Sequence, residues 1–251
     1  MKKKINNSVD ILFEDNDIVV VSKPAGMLTI PDRYNHELPN LKAYLKNLYG
    51  DIFVVHRLDK DTSGVMVFAK NAETHRDLSI QFEEMRVKKV YHCIVAGIVS
   101  KDEMEIDIPL MKDPSTPGKT IPSVRGKDSL TIIKVMKKFK NATLIKCLLV
   151  TGRHHQIRAH CAAIGHPLLV DPLYGNASEF KLSQIKRRVN LKKGTEELPI
   201  INRITMHSKE LGFVHPRTNK EIFFESEYPK DLSALLQILS KYSSFQIYLH
   251  K

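Results

Sequence analysis

Between Val54 and Lys70 the chain reads VVHRLDKDTSGVMVFAK. The flanking runs, rich in Val and Phe, predict buried strands. Between them stand His56, Arg57, Asp59, Lys60 and Asp61, five ionisable side chains within six positions, more than a strand-to-strand turn requires. A carboxylate on such a loop is partly desolvated, which raises its pKa; a guanidinium two residues away lowers it again and keeps it ionised. Asp59 held this way has the chemistry of a nucleophile or a general base. A lone loop aspartate more often caps a turn or pairs with its own arginine, and the length of the H-R-L-D-x-x-T-S-G string is what favours chemistry here. Thr62, Ser63 and Gly64 read as its turn-shaping end, through hydroxyl-to-backbone bonds and the backbone freedom of glycine.

A second cluster, TGRHHQIRAH, runs from Thr151 to His160. On a helix Arg158 lies near His154 and beside, not within, the inward stripe of Ile157. An arginine at the start of a short helix in a basic protein can reach a carboxylate or a phosphate. A metal site at His155 and His160 is a poor fit, because their i, i+5 spacing is wrong and no carboxylate is near in sequence. A third candidate is Tyr91 in KKVYHCIVAG, which alternates with Val90 and His92. Its ring reads either as core with a satisfied hydroxyl or as a platform on which a base can stack.

The elements that must position these residues follow from pattern. A strand is predicted over Ile18–Ser22, then a turn at Pro24-Ala25-Gly26. Leu41, Tyr44, Leu45 and Leu48 repeat at helical spacing after a possible Asn40 cap and stop at Gly50. Asn71 caps a helix whose Leu78, Phe82 and Met85 share a face. The segment from residue 88 returns to strand. Residues 111–129, with three prolines and two glycines, read as a long loop. A hairpin about Asn141 follows, then a short helix ending at Gly165, two strands joined by a Pro-Arg-Thr-Asn turn, and a final amphipathic helix with Leu232, Leu235, Leu236 and Leu239. Strands outnumber helices and short turns join many of them. The fold class expected is α+β, with a mixed, mostly antiparallel sheet and flanking helices. Residues 181–193, KLSQIKRRVNLKK, hold six basic residues and no acid. We read them as part of a basic insertion, about 176–200, in a single domain spanning 1–251.

The 251 residues carry 39 Lys and Arg against 28 Asp and Glu, a formal net charge of +11. That balance fits either a solvated basic surface or a polyanionic partner such as nucleic acid. Cys93, Cys147 and Cys161 are far apart in sequence and odd in number, which disfavours a disulfide framework or zinc ribbon and suits a reducing cytoplasm. The basic opening MKKKINNSVDILFEDND lacks the apolar stretch of a signal peptide, and no run approaches the ~20 apolar residues of a membrane helix.

Taken together and in order, these clusters resemble the RluA-type family of RNA pseudouridine synthases. His56–Gly64 matches its H-R-L-D-x-x-T-S-G, Lys89–Gly97 its K-x-Y-x-A/C-x-V-x-G strand, and Gly152–His160 its G-R-x-H-Q-I/L-R-x-H; SKPAG and FVHP fit as well. The resemblance spans roughly residues 10–228. It implies the pseudouridine synthase catalytic fold with a central cleft, and an isomerase (an intramolecular transferase) that turns specific uridines of ribosomal or transfer RNA into pseudouridine. It assigns catalysis to Asp59, Tyr91 and Arg158, with Arg158 pairing with the aspartate. It also implies RNA contacts at Arg57, which enters the space the base leaves, and at His56 and Arg153. Lys186, Arg187 and Arg188 of the insertion are added as RNA contacts on charge. No metal or organic cofactor, no membrane partner, a cytoplasmic monomer and roles in rRNA and tRNA processing are the accompanying expectations. The S4 RNA-binding domain that many relatives carry at the N-terminus is expected to be absent. Two departures stand outside the three catalytic positions: Val170-Asp171-Pro172-Leu173-Tyr174-Gly175 where the family has G-D-x-x-Y-G, and Met206-His207-Ser208 where it has L-H-A. The competing reading is a non-catalytic RNA-binding or RNA-chaperone protein on the same fold. A phosphotransferase reading of H-R-L-D fails for want of a Gly-rich phosphate loop and D-F-G.

Overall fold

The computed structural model describes residues 9–190 and 194–244. The chain divides into two compact units, Met1–Val90 with His207–Tyr228, and Tyr91–Met206 with Pro229–Lys251. Along it run strands β1 (Asp10–Glu14) and β2 (Ile18–Lys23), helix α1 (Leu41–Tyr49), strands β3 (Phe53–Val54) and β4 (Ser63–Ala69), and helix α2 (Ala72–Glu83). Then come β5 (Lys88–Ala96), β6 (Glu103–Asp107), β7 (Leu110–Lys112), β8 (Thr120–Pro122), β9 (Leu130–Lys138) and β10 (Ala142–Leu149). Helix α3 (Gln156–Ala163), strands β11 (Met206–Val214) and β12 (Glu221–Glu225) and helix α4 (Lys230–Tyr242) complete the order.

In the first unit β4 is central. β2 pairs antiparallel along its whole length, from Ile18↔Ala69 to Lys23↔Gly64. The opposite edge is shared: β11 pairs parallel with Ser63 and Gly64, and β3 antiparallel with Phe68 and Ala69. All seven residues of β4 are buried, which explains why its sequence is a continuous apolar run instead of an alternation. Ile18, Val20, Val65, Val67 and Ala69 on one face pack with Leu78 of α2 and with Leu211 and Phe213 of β11. Gly64 takes φ +122°, and a Cβ there would lie 2.1 Å from the Ser208 carbonyl oxygen. Only glycine lets β11 approach that closely.

Both predicted caps are present: the Asn40 and Asn71 side chains accept from the N–H groups of Ala43 and Thr74. The expected apolar stripes are narrower than the spacing suggests. Leu48 of α1 is exposed, and Met85 lies beyond α2, exposed, with φ 59°. In the FVHP turn His215 accepts two backbone N–H groups at Nδ1 and meets Asp15 at Nε2, 2.9 Å. Arg217 beside it holds Asp17 through both carboxylate oxygens, so Asp15, Asp17 and His215 converge in a hydrogen-bonded network anchored by the Arg217–Asp17 ion pair.

The second unit orders its main strands β5-β10-β9-β6. The β9–β10 hairpin forms as expected about Asn141. The segment expected as an unbroken loop over 111–129 instead holds a second hairpin, β7 against β8 from Leu110↔Pro122 to Lys112↔Thr120. Strands of three residues are too short to show alternation, and Pro122 hides the pattern further. Residues 181–190 contain a single 3-10 turn, Leu182–Gln184, and are otherwise irregular; 191–193 lie outside the described residues. The cysteines, scattered in sequence, meet in the core, with Cys93 and Cys147 sulfurs 3.9 Å apart. Burial pushes the Cys93 thiol up. With the parallel β11–β4 pairing beside antiparallel ones, and four α-helices among the described residues, the architecture is α+β with a mixed sheet, as expected.

Candidate active site

Asp59 sits on the link between β3 and β4, partly accessible, and its neighbours alternate around it: Leu58 is buried while Arg57, Lys60 and Asp61 are exposed. The backbone on both sides of Asp59 is clamped. On one side the Thr29 hydroxyl donates to the Leu58 carbonyl at 2.8 Å and accepts from the Leu58 N–H at 3.2 Å. On the other, the Lys60 carbonyl accepts from the Gly26 N–H at 2.8 Å and from the Lys23 ammonium at 3.0 Å. The Asp59 carbonyl itself accepts from the Thr62 N–H at 3.1 Å.

Lys23 is the residue that pattern reading missed. It is fully buried, and its ammonium also donates to the carbonyls of Pro24 and Met27. A buried charge persists only when its donors are satisfied, and three carbonyls from two loops do so here. The SKPAG turn thus fastens the segment that carries Asp59. The sequence signal for it was its place in SKPAG, at the end of a mostly apolar strand.

His56 completes the gap in the edge of β4. The Val67 N–H donates to His56 Nε2 at 3.2 Å, where neither β11 nor β3 reaches. Ser208, the residue standing in place of the family's alanine, donates to the Val65 carbonyl in the same gap. The His56 ring stacks on Phe82 at 4.6 Å, and burial, with the nearby Lys89 charge, lowers its pKa to about 3. His56 is therefore neutral with its proton on Nδ1, a structural imidazole. Ser63 donates to His207 Nδ1 at 2.9 Å, because the other ring nitrogen donates to the Ser226 carbonyl. So Ser63 bonds to a side chain instead of the expected backbone group. Thr62 is buried, and its hydroxyl has no hydrogen-bond partner among the described residues.

In the second unit Tyr91 stands on β5 and is 8% exposed. Helix α3 differs from its expected stripe. Ile157 and Cys161 are buried, and so are the polar Gln156, Arg158 and His160. The amphipathic reading placed Arg158 beside the inward stripe because it treated polar as outward. Each of these side chains is fully engaged. Gln156 accepts from Thr151 and the Arg153 N–H, and donates to the Leu130 carbonyl and the Thr131 hydroxyl. His160 bonds Thr131 and the Ile108 carbonyl, both at 2.9 Å. Arg153 points its Nε at the Asp128 carbonyl, 3.1 Å.

Arg158 donates from Nε and NH2 to the two oxygens of Asp171, at 2.7 and 2.8 Å, in the two-toothed geometry that guanidinium and carboxylate favour. NH1 faces His155 Nε2 at 2.9 Å, and the guanidinium lies 4.9 Å from the Tyr174 ring centre. Asp171 and Tyr174 belong to the segment whose departure from the family pattern stood apart in sequence. In the structure both touch Arg158. His155 caps α3 with φ 52°, a left-handed backbone that costs a non-glycine residue of order 1 kcal/mol.

A family model described as RNA pseudouridylate synthase matches residues 17–163. The chain is 34% identical over 242 residues to "Ribosomal large subunit pseudouridine synthase D" of Zymomonas mobilis, covering 92% of this chain and 73% of that one. It is 36% identical over 228 residues to "Dual-specificity RNA pseudouridine synthase RluA" of Vibrio parahaemolyticus, covering 87% and 84%. Among solved structures, human RNA pseudouridylate synthase domain containing 4 superposes with TM-score 0.70 at 22% identity, over 92% of this chain and 93% of that one. That last likeness supports the fold. The chain belongs to the RNA pseudouridylate synthase family. It is an isomerase that converts uridine within RNA to pseudouridine.

Proposed function

We propose that Asp59 carries the isomerisation, acting on specific uridines of structured ribosomal or transfer RNA. The observation that supports this reading is the double clamp on the Asp59 backbone, from Thr29 on one side and Lys23 with Gly26 on the other. A carboxylate that must meet one atom of a nucleotide needs a fixed starting point. In the reaction the N1–C1′ bond breaks, the base turns over, and C5 bonds to the sugar. The uridine first leaves its stack, at a cost of a few kcal/mol. Tyr91 is assigned the flat surface for the extruded base and Arg158 the task of keeping Asp59 ionised and aimed. Arg57, exposed on the same loop, enters the space the base vacates.

RNA phosphates are assigned to Arg153 and to Lys186, Arg187 and Arg188. The support for the last three is their setting. Arg187 and Arg188 are exposed, and the ammonium groups of Lys186 and Lys241 lie 5.2 and 5.3 Å from the centre of the Tyr242 ring. Chain segments far apart in sequence thus bring cations to one aromatic ring, a pattern suited to nucleic acid. The names of the two relatives above point to large-subunit ribosomal RNA in one and to dual specificity in the other, and both substrates are carried over here as candidates. We place the enzyme in the cytoplasm as a monomer, a setting that its free cysteines suit. Pseudouridine mapping of total RNA from cells lacking the gene tests the reading. Loss of discrete sites in ribosomal or transfer RNA, restored by the wild-type gene, is expected. An unchanged map would favour a non-catalytic RNA-binding role.

A further inference from the structure

We propose that Asp171, His155 and Tyr174 form a positioning set that fixes the Arg158 guanidinium in one orientation for the reaction. The proposal rests on the assignment of Arg158 to that reaction and adds residues for which the family motif implies no role.

The carboxylate of Asp171 is itself immobile. Its Oδ1 accepts from the N–H groups of Leu173 and Tyr174 at 3.0 and 3.1 Å while receiving Arg158 NH2, and its Oδ2 receives Arg158 Nε. The side chain is fully buried, and Arg158 is 7% exposed. A buried ion pair gains little stability over well-packed apolar residues, because both ions lose their hydration. What it does supply is geometry: a planar fork gripped at one edge cannot rotate.

The third nitrogen is governed by His155. A guanidinium only donates, so His155 Nε2 at 2.9 Å from NH1 must accept. The imidazole proton then sits on Nδ1 and is donated to the Tyr174 hydroxyl at 3.1 Å. That hydroxyl oxygen also accepts from the Thr120 N–H at 2.7 Å, which ties it to β8. Desolvation, with Arg158 next, depresses the His155 pKa to about 3, so the accepting tautomer persists through the physiological range. Every donor direction in the chain from Asp171 through Arg158 and His155 to Tyr174 is thereby fixed.

The test uses the full-length enzyme and an RNA transcript that the wild type modifies, with kcat and KM measured separately and melting temperatures recorded for each variant. Asp171→Asn keeps the shape and removes the charge. It is expected to lower kcat about 10²-fold, the cost typical of a catalytic group displaced by about 1 Å, with KM changed less than about threefold. Tyr174→Phe removes one oxygen, leaves the ring, and is expected to lower kcat by about tenfold; it carries the test if Asp171→Asn fails to fold. Because Asp171 acts through Arg158, the Arg158→Lys, Asp171→Asn double variant should be no slower than Arg158→Lys alone. Wild-type kcat in a folded Asp171→Asn or in Tyr174→Phe, or losses that multiply in the double variant, would overturn the proposal while leaving the role of Arg158 standing. Wild-type kcat in Arg158→Lys would remove the reading on which it rests.

Discussion

At the scale of single residues, Asp59 is proposed to carry the chemistry, and the side chains around its loop to hold it in place. Asp59 stood out because H-R-L-D-x-x-T-S-G holds more charge than a turn needs. The structural roles of Lys23, His56 and Asp171 did not, for a common reason. Lys23 and Asp171 are buried and His56 is partly buried, whereas hydrophobic pattern assigns polar residues to the surface. Lys23 is satisfied by carbonyls of Pro24, Met27 and Lys60, partners that only the folded chain brings near. His56 lay inside the motif, yet its Nε2 serves the β4 backbone, and the motif alone could not tell a structural imidazole from an RNA contact. Lys23→Met, which keeps the length of the side chain, tests the clamp. Hydrogen bonds from a charged donor contribute ~1.5–3 kcal/mol each, less the cost of burying the charge, so a net loss of about 2–3 kcal/mol is expected. Urea unfolding measures it. An unshifted midpoint would show that the loop is held without the ammonium.

At the scale of elements, periodicity located the long strands and the caps of α1 and α2, and it failed where elements are short or buried all round. The β7–β8 hairpin has three-residue strands, and α3 buries polar and apolar residues alike. The basic segment from residue 181 was read correctly as a concentration of charge, but its described part is mostly irregular, with a single 3-10 turn. Its Lys186 approaches Tyr242 at the end of α4, a neighbour that sequence could not supply. Neutralising Lys186, Arg187 and Arg188 together should weaken RNA binding and lower the slope of log affinity against log salt by about 2–3, since each phosphate contact contributes ~0.7–0.9. Binding isotherms at several salt concentrations decide it. An unchanged slope would take this segment off the RNA path.

At the scale of the whole molecule, a net charge of +11 and the family membership agree on an RNA substrate, and neither says how binding and catalysis are divided among residues. The account divides them sharply: basic side chains hold the RNA, and Asp59 does the chemistry. The measurement that tests this most directly compares wild type with Asp59→Asn, a nearly isosteric change that removes the carboxylate, on one RNA transcript that the wild type modifies. Pseudouridine formation and RNA affinity are read in parallel. The account predicts that formation falls below detection while the dissociation constant stays within about threefold, as expected when a group acts in the transition state and not in ground-state binding. Full pseudouridine formation by Asp59→Asn would contradict it.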